Sequence, residues 1–459
     1  MKVEPSIGFD ARRARVTLDI ASRAAGLRYA ELPKDIRRRA RQCLLDWLGV
    51  TLAGAAEELS RILLAEAEEQ GGRPMATLIG HGAKASTQQA ALLNGAASHA
   101  LDYDDVNMTM GGHPTVPVMP ALLALGEARG ASGADLIAAF VAGYETACRI
   151  GALVAPSHYA RGFHATATVG TFGAAAACAR LFKLDEAQTA TALGIAGTQA
   201  AGLKSMFGTM CKPLHAGKAA QNGLLAAGLA ARGFSARGDV LECAQGFADT
   251  QGRDFNADAA LAEPRSGWHL RDNLFKYHAA CYLTHAPIEC AREIRRQRGF
   301  EPQAVREVVV SVDAGAAKVC HIAEPRTGLE AKFSLRLTTA MALAGLDTAS
   351  LETYSGRNAT DPDLVVLRDT IAVEFKPNWP HTLGEVRVIL KDGRVFQARH
   401  DSGVPASDLD AQQERLDAKF MSLAEPVLGR CQAKQLAAAV DSLDRVGSLR
   451  ELMGLAVPA

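Results

Sequence analysis

The chain has no net charge: its 459 residues carry 50 Lys and Arg against 50 Asp and Glu. Without an overall positive field there is no general attraction for nucleic acid or an anionic membrane, so neither is expected as a partner. The sequence also lacks any CxxC pair. Its nine cysteines are scattered and odd in number. That argues against structural zinc and fits a reduced, cytoplasmic compartment in which most thiols are small buried hydrophobes. The start, MKVEPSIGFDARRARV, has no apolar stretch of the secretory kind. No purely apolar run reaches the roughly 18 residues of a membrane span. The richest candidate, DLIAAFVAGYETA, is short and carries acids, so no transmembrane helix is expected. There is no P-loop and no GxGxxG after a strand, which leaves nucleotide cofactors without support; HExxH and EF-hand spacings and a GxSxG elbow are also missing.

What the chain does have is small apolar residues at helical spacing. LPKDIRRRARQCLLDWLGVTLAG is a clear helix, with Pro33 at its start, a stripe of Ile36, Ala40, Cys43, Leu44, Trp47 and Leu48, and Gly54 to close it. Later segments such as ATVGTFGAAAACARLF and AGKAAQNGLLAAGLAARG are built from Ala and Gly, which let helix axes approach closely. The texture changes after about residue 265. REVVVSVDA and IAVEFK read as strands, GEVRVILKDGRVFQARH as a hairpin turning at Lys391-Asp392-Gly393, and EAKFSLRLTTAMALAG as a helix among them. Helical patterns return from about 408. The expected fold is mainly α: a large multihelical domain over 1–265, a smaller α+β domain over 266–405, and C-terminal helices, 406–459, packing back on the first.

Polar residues interrupt this apolar background in four places. LDYDDVNMTMGGHP brings Asp102, Asp104 and Asp105 close to Gly111, Gly112 and His113. RGFHATATVG carries His164, and FGTMCKPLHAGKAAQNG carries Lys212, His215 and Lys218. LFKYHAACYLTH carries Lys276, His278, Cys281 and His285, of which Lys276 and His285 could be surface residues. Each has an ordinary reading: Asp104 and Asp105 as helix caps, His164 as a satisfied core residue. Lys212, before Pro213 and a Gly/Ala helix, reads as a buried cation in need of an anion. Asp and His together could take a divalent ion, but no known ligand spacing is present. Together these residues can do acid–base chemistry on an anion: Lys212 and helix N-termini would hold carboxylates, and a His or Asp would move a proton beside one.

In that order, NGAASHALDYDDVNMTMGGHPTVPVMPALLALGE, GFHATATVGTFGAAAA and FGTMCKPLHAGKAAQNG resemble the MmgE/PrpD family. EAKFSLRLTTAMAL and LFKYHAACYLTH are similar to its later blocks, so the resemblance covers about residues 20–450. The family includes 2-methylcitrate dehydratase, cis-aconitate decarboxylase and iminodisuccinate epimerase. The resemblance implies a large helical domain with a smaller α+β domain, a cofactor-independent and metal-free reaction on a small di- or tricarboxylate, and a homodimer. It places Asp102, His113, His164, Lys212 and Cys281 in the pocket; by their chemistry Asp102, His113 and His164 are expected in catalysis, with Asp102 holding an imidazole, and Lys212, His215 and Cys281 in substrate binding. The last position departs from the family pattern, because HAAC lacks its proline. Decarboxylase-like members carry a Thr where this chain has Val106 and a Tyr near Leu337. The spacing from Asp102 to His113 equals that of the epimerase-like branch. The resemblance thus points first to a 2-methylcitrate dehydratase-like hydro-lyase and next to an epimerase of an amino- or imino-dicarboxylate. A silent binding protein keeping the fold is the reading from another class.

Overall fold

The computed structural model describes residues 15–458. The chain divides into two compact units, one of residues up to 273 with 423 onward, the other of 274–422. Both divisions fall later than the change in sequence texture, for a local reason. The segment before 274 forms a short 3-10 turn, His269–Asp272, whose first N–H groups bond to Glu145 of the first unit. At the other end, the helix Leu409–Leu428 begins within the second unit.

The first unit is a stack of helices. Lys34–Gly54 follows Pro33 and buries the expected Ile36, Ala40, Cys43, Leu44, Trp47 and Leu48, and from Gln42 to Leu52 it is buried on every side. Thr87–His99 opens on a reciprocal cap in which Ser86 and Gln89 satisfy each other's backbone N–H groups. Gly133–Val154 is 22 residues long and apolar enough to cross a membrane by length and composition, contrary to the expectation that no segment would be. In this fold 94% of its most apolar window is buried inside the protein. Thr115–Arg129, Ala165–Phe182 and Cys211–Ala230 complete the centre of the stack. A small hairpin, β1 (Ala76–Leu78) with β2 (Ala83–Ala85), escaped the sequence reading because its strands are only three residues long.

Small residues set how closely these helices approach. A Cβ on Gly95 would lie 2.8 Å from the Cα of Gly217, and one on Gly217 would lie 2.2 Å from the carbonyl oxygen of Leu92. Thr87–His99 and Cys211–Ala230 therefore touch backbone to backbone, which brings the start of the second helix to the end of the first.

The second unit holds a four-stranded sheet. Its strands are β3 (Val305–Asp313), β4 (Ile371–Lys376), β5 (Leu383–Leu390) and β6 (Val395–Asp401), in spatial order β4-β3-β5-β6. β3 pairs parallel with β4 and antiparallel with β5, and β5–β6 is the hairpin read from the sequence. The helices His285–Arg296 and Leu335–Ala344 contribute Ile288, Ile294, Ala340 and Leu343 to a core shared with Val308, Val310, Val386 and Val388 of the sheet.

Gly217→Ala is expected to lower stability by about 2–3 kcal/mol, since its methyl meets backbone that must move. Gly454→Ala, where a Cβ meets nothing within 4 Å, is the control. Urea-unfolding midpoints of the two variants check this; equal midpoints would count against the backbone contact.

Candidate active site

The opening motif lies in the loop between Thr87–His99 and Thr115–Arg129. Asp102 takes a left-handed backbone conformation, φ 50°, and Gly111 has φ 69°. A Cβ on Gly112 would come within 2.9 Å of the backbone nitrogen and Oγ1 of Thr166. The loop thus needs glycine at 111 for its turn and at 112 for its approach to the next helix. Immediately afterwards the N–H of His113 donates to Thr166 Oγ1 at 3.1 Å.

Asp104 is buried, 1% exposed, between two imidazoles. Its Oδ1 lies 2.9 Å from His99 Nδ1, and its Oδ2 lies 2.8 Å from His113 Nδ1. The second contact has the distance of a hydrogen bond but is poorly aligned. Burial raises the carboxyl's pKa, but the two imidazoles more than offset this and hold it well below the usual range. Burial drives His99 down to about 4 against the pull of Asp104, so its ring is neutral at pH 7.

The expectation that Asp102 would orient an imidazole meets a different geometry. Its Oδ1 is 2.7 Å from Lys212 Nζ and 3.8 Å from His113 Nε2. Lys212 has the anionic partner its sequence context called for, and Asp104 stands where Asp102 was expected. Neither Asp104 nor Asp105 caps a helix N–H. Asp105 accepts a hydrogen bond from Thr115 Oγ1 at 2.5 Å and is otherwise enclosed. Burial, together with Asp46 and Asp104 nearby, pushes its carboxyl up to about 7.

His164 precedes Ala165–Phe182, and its N–H donates to the carbonyl of Gly202. Its Nδ1 lies 3.1 Å from Nδ1 of half-buried His215. Burial first, and then the cationic or potentially cationic His99, Lys212, His113 and His215, push its pKa far below the ordinary value. The ring stacks on His99 with centroids 5.9 Å apart and meets Phe207 edge to face at 4.9 Å; Lys212 Nζ lies 5.7 Å from the same phenyl ring. His99 in turn meets His113 at 4.7 Å. The structure thus brings together Asp102, His113, His164, Lys212 and His215. It adds His99, which the sequence reading quoted within a motif but did not single out. The available signal was its place at a helix end, three residues before Asp102 and five before Asp104.

The remaining predicted position, Cys281, lies in the second unit. Its N–H donates to the carbonyl of Lys332, and its thiol neighbours Cys320 in that unit's core. In the same stretch, Lys276 and His285 are 2% and 3% exposed. They are core residues, not surface ones. His278 is buried between Glu289, 3.0 Å from Nε2, and Thr348, 2.8 Å from Nδ1.

Three helix N-termini meet at the first-unit cluster. His113 stands two residues before Thr115–Arg129, His164 just before Ala165–Phe182, and Lys212 in the first turn of Cys211–Ala230. Each N-terminus carries a partial positive charge, although in Cys211–Ala230 the N–H groups of Cys211, Lys212 and Leu214 are already bonded to Thr209 and Met210 and Pro213 has none. With Lys212, the arrangement attracts anions, and its neutral imidazoles can accept protons. As for metals, the ligand atoms of His99, Asp102, Asp104 and His113 lie within 4.8 Å of one another, among the described residues. Distance alone would admit a divalent ion. The chemistry opposes one, because both Asp104 oxygens face imidazole nitrogens and the Lys212 ammonium already sits against Asp102.

A multihelical unit carrying this constellation, followed by a small α+β unit, is the arrangement of one protein class. Residues 18–259 match the MmgE/PrpD N-terminal domain and residues 278–445 the MmgE/PrpD C-terminal domain. The chain belongs to the MmgE/PrpD family and is an enzyme of its lyase kind. Among its relatives is the cis-aconitate decarboxylase of Aspergillus terreus, 27% identical, with 96% of each chain covered. Another is that of Mus musculus, 28% identical over 94% of this chain and 91% of the relative. The Homo sapiens enzyme of the same name is 27% identical over 94% and 92%.

Asp105 provides a test of these electrostatics. Its folded pKa, about 7, lies above the ordinary carboxyl value of 3.8. Its contribution to stability is therefore present below pH 4 and lost as pH rises through 7. Asp105→Asn keeps the acceptor for Thr115 and cannot ionise. Measured by urea unfolding, the variant should gain on the wild type between pH 5 and pH 8.5, by on the order of 2–4 kcal/mol. A difference independent of pH would refute the assignment.

Proposed function

We propose that this enzyme acts on a small di- or tricarboxylate by removing a proton alpha to a carboxylate, without a cofactor, most closely as a 2-methylcitrate dehydratase-like hydro-lyase. The observation that carries this reading is the meeting of Lys212 and three helix N-termini with the imidazoles of His113 and His164. A substrate carboxylate leaving water needs such fixed positive partners. When an imidazole takes the α-proton, the electron pair of the C–H bond moves into the adjacent carboxylate. Lys212 and the positive ends of the helix dipoles stabilise the charge that accumulates there. Loss of a β-hydroxyl, protonated by the second imidazole, which must enter the step as its imidazolium, then forms the alkene and water. Asp104 orients His113, as carboxylates orient catalytic imidazoles elsewhere.

Two further outcomes share the first step. Epimerisation follows if the second imidazole returns a proton to the opposite face; the origin of His113 and His164 in separate segments favours this as the second reading. Decarboxylation is the activity named for the relatives, whose substrate, cis-aconitate, supports the polycarboxylate class. Against it stand half-buried Val106 and fully buried Leu337, where decarboxylase-like members carry a Thr and a Tyr. Incubation with a panel of hydroxy-, amino- and unsaturated polycarboxylates in deuterated water separates these. An alkene marks a hydro-lyase, deuterium uptake without net product marks an epimerase, and carbon dioxide marks a decarboxylase. No exchange with any acid would leave a silent binding protein.

On the acid that reacts, Lys212→Ala should raise KM and lower kcat. His113→Ala and His164→Ala should chiefly lower kcat, by on the order of a hundredfold or more. Near-normal turnover by both folded histidine variants would sink the mechanism.

The depressed pKa of His164 gives a pH signature. In the free enzyme the ring stays neutral below the ordinary histidine range, and a bound polyanion stabilises its protonated form. The acidic limb of kcat, which reports the complex, should therefore lie at higher pH than that of kcat/KM, which reports the free enzyme. Coincident limbs would argue against His164 as the base.

A further inference from the structure

Six residues before His113, Asn107 is 1% exposed, yet it carries a polar side chain. Every group of that side chain is used. Its Oδ1 accepts from the N–H of Thr109 at 2.9 Å and of Met110 at 3.3 Å. Its Nδ2 donates outward, to Tyr144 Oη at 3.1 Å and to the carbonyl of His269 at 3.0 Å. The amide orientation follows from the partners: two N–H groups face the oxygen, and a carbonyl faces the nitrogen. Its backbone closes the same loop. The N–H of Asn107 donates to the carbonyl of Gly112 at 3.0 Å, and its carbonyl accepts from the N–H of Gly111 at 3.0 Å.

The outward partners are themselves held. Tyr144 Oη donates to Asn273 Oδ1 at 2.7 Å, which leaves its oxygen to accept from Asn107. His269 and Leu270 donate their N–H groups to Glu145, the next residue on the Gly133–Val154 helix. Asn107 thereby hydrogen-bonds the loop to a buried helix and to the 269–272 turn, and the loop backbone at Thr109 and Met110 packs against Gly151 of the same helix. At its far end Gly112 abuts Thr166, and His113 bonds to the same side chain.

We infer that Asn107 is a positioning residue for His113: it fixes the 107–112 turn against Tyr144 and His269, and so sets the imidazole against Asp104. It touches no member of the His–Asp–Lys cluster and acts through the turn alone. Which nitrogen of an imidazole carries the proton is set by the partner its ring faces, and Asp104 Oδ2 lies 2.8 Å from His113 Nδ1 only while the loop holds the ring there. Asp104 would favour the Nδ1–H form of His113, leaving Nε2 free to take a proton. This use of Asn107 rests on the reading of His113 as an acid–base group.

The test needs no substrate. Long-range 15N–1H spectra of the histidine rings at pH 8 report the tautomer of His113, assigned by the loss of its signals in His113→Gln. In the wild type the Nδ1–H form should dominate. In Asn107→Ala, checked for folding by near-UV circular dichroism, its share should fall at least severalfold, with His158 signals unmoved. Tyr144→Phe removes one outward partner while keeping the ring, and should shift His113 in the same direction by less. It carries the test should Asn107→Ala fail to fold. An unchanged His113 signature in the folded variants would overturn the inference. On 2-methylcitrate, should it react, Asn107→Ala should lower kcat at least tenfold with KM within about threefold; equal losses through KM would also overturn it. A moved tautomer in a protein that turns over none of the acids would uphold the positioning role and remove the proposed reaction instead.

Discussion

A carboxylate that is almost wholly buried must be protonated or held by polar partners, and Asp104 lies between the imidazoles of His99 and His113. Much of the first unit's local geometry serves that placement. His99 must end its helix at the right turn, His113 must follow a loop that doubles back, and both must be enclosed for the contact to hold in competition with water. The same enclosure keeps His99 and His164 neutral. A more open site would hydrate the imidazoles and let them titrate in their ordinary range.

Close helix packing makes the enclosure possible. Backbone contact between Gly95 and Gly217 brings Lys212 of one helix near the chain that follows the other. Lys212 then reaches Asp102 at 2.7 Å. Substrate charge would enter a site in which one carboxylate is already committed to Lys212 and another to two imidazoles. A polyanion can recruit Lys212 in exchange for Asp102 without stranding a buried charge, because Asp102 is partly exposed and can return to water.

Asn107 and Asp105 show how the same loop is stabilised away from the cluster. Asn107 satisfies its amide on both sides, so burying it leaves no polar group unpaired. Asp105 has only Thr115 as a hydroxyl partner and lies near Asp46, so burial raises its pKa. Adjacent acids in one motif therefore behave oppositely: Asp104 is ionised by its neighbours and Asp105 is driven towards the neutral acid by its surroundings.

Much of the fold was legible in the sequence because it depends on periodicity. The stripe on Lys34–Gly54, the strands Val305–Asp313 and Ile371–Lys376, and the Leu383–Asp401 hairpin all follow from spacing and turn residues. Long motifs in order carried the family, and with it the residues Asp102, His113, His164 and Lys212. Spacing says nothing, however, about which carboxylate meets which imidazole. Asp102 and Asp104 are equivalent as letters, and only the left-handed backbone at Asp102 turns it towards Lys212 while Asp104 faces inward. His99 was hidden for a similar reason, since a histidine at a helix end has no distinguishing neighbour until the loop after it folds back. Lys276 and His285 look like surface residues in a polar stretch, and burial is a property of the surrounding elements. Local pattern determined the elements and the set of reactive residue types; packing of segments far apart in the chain decided their pairing, their burial and their charge.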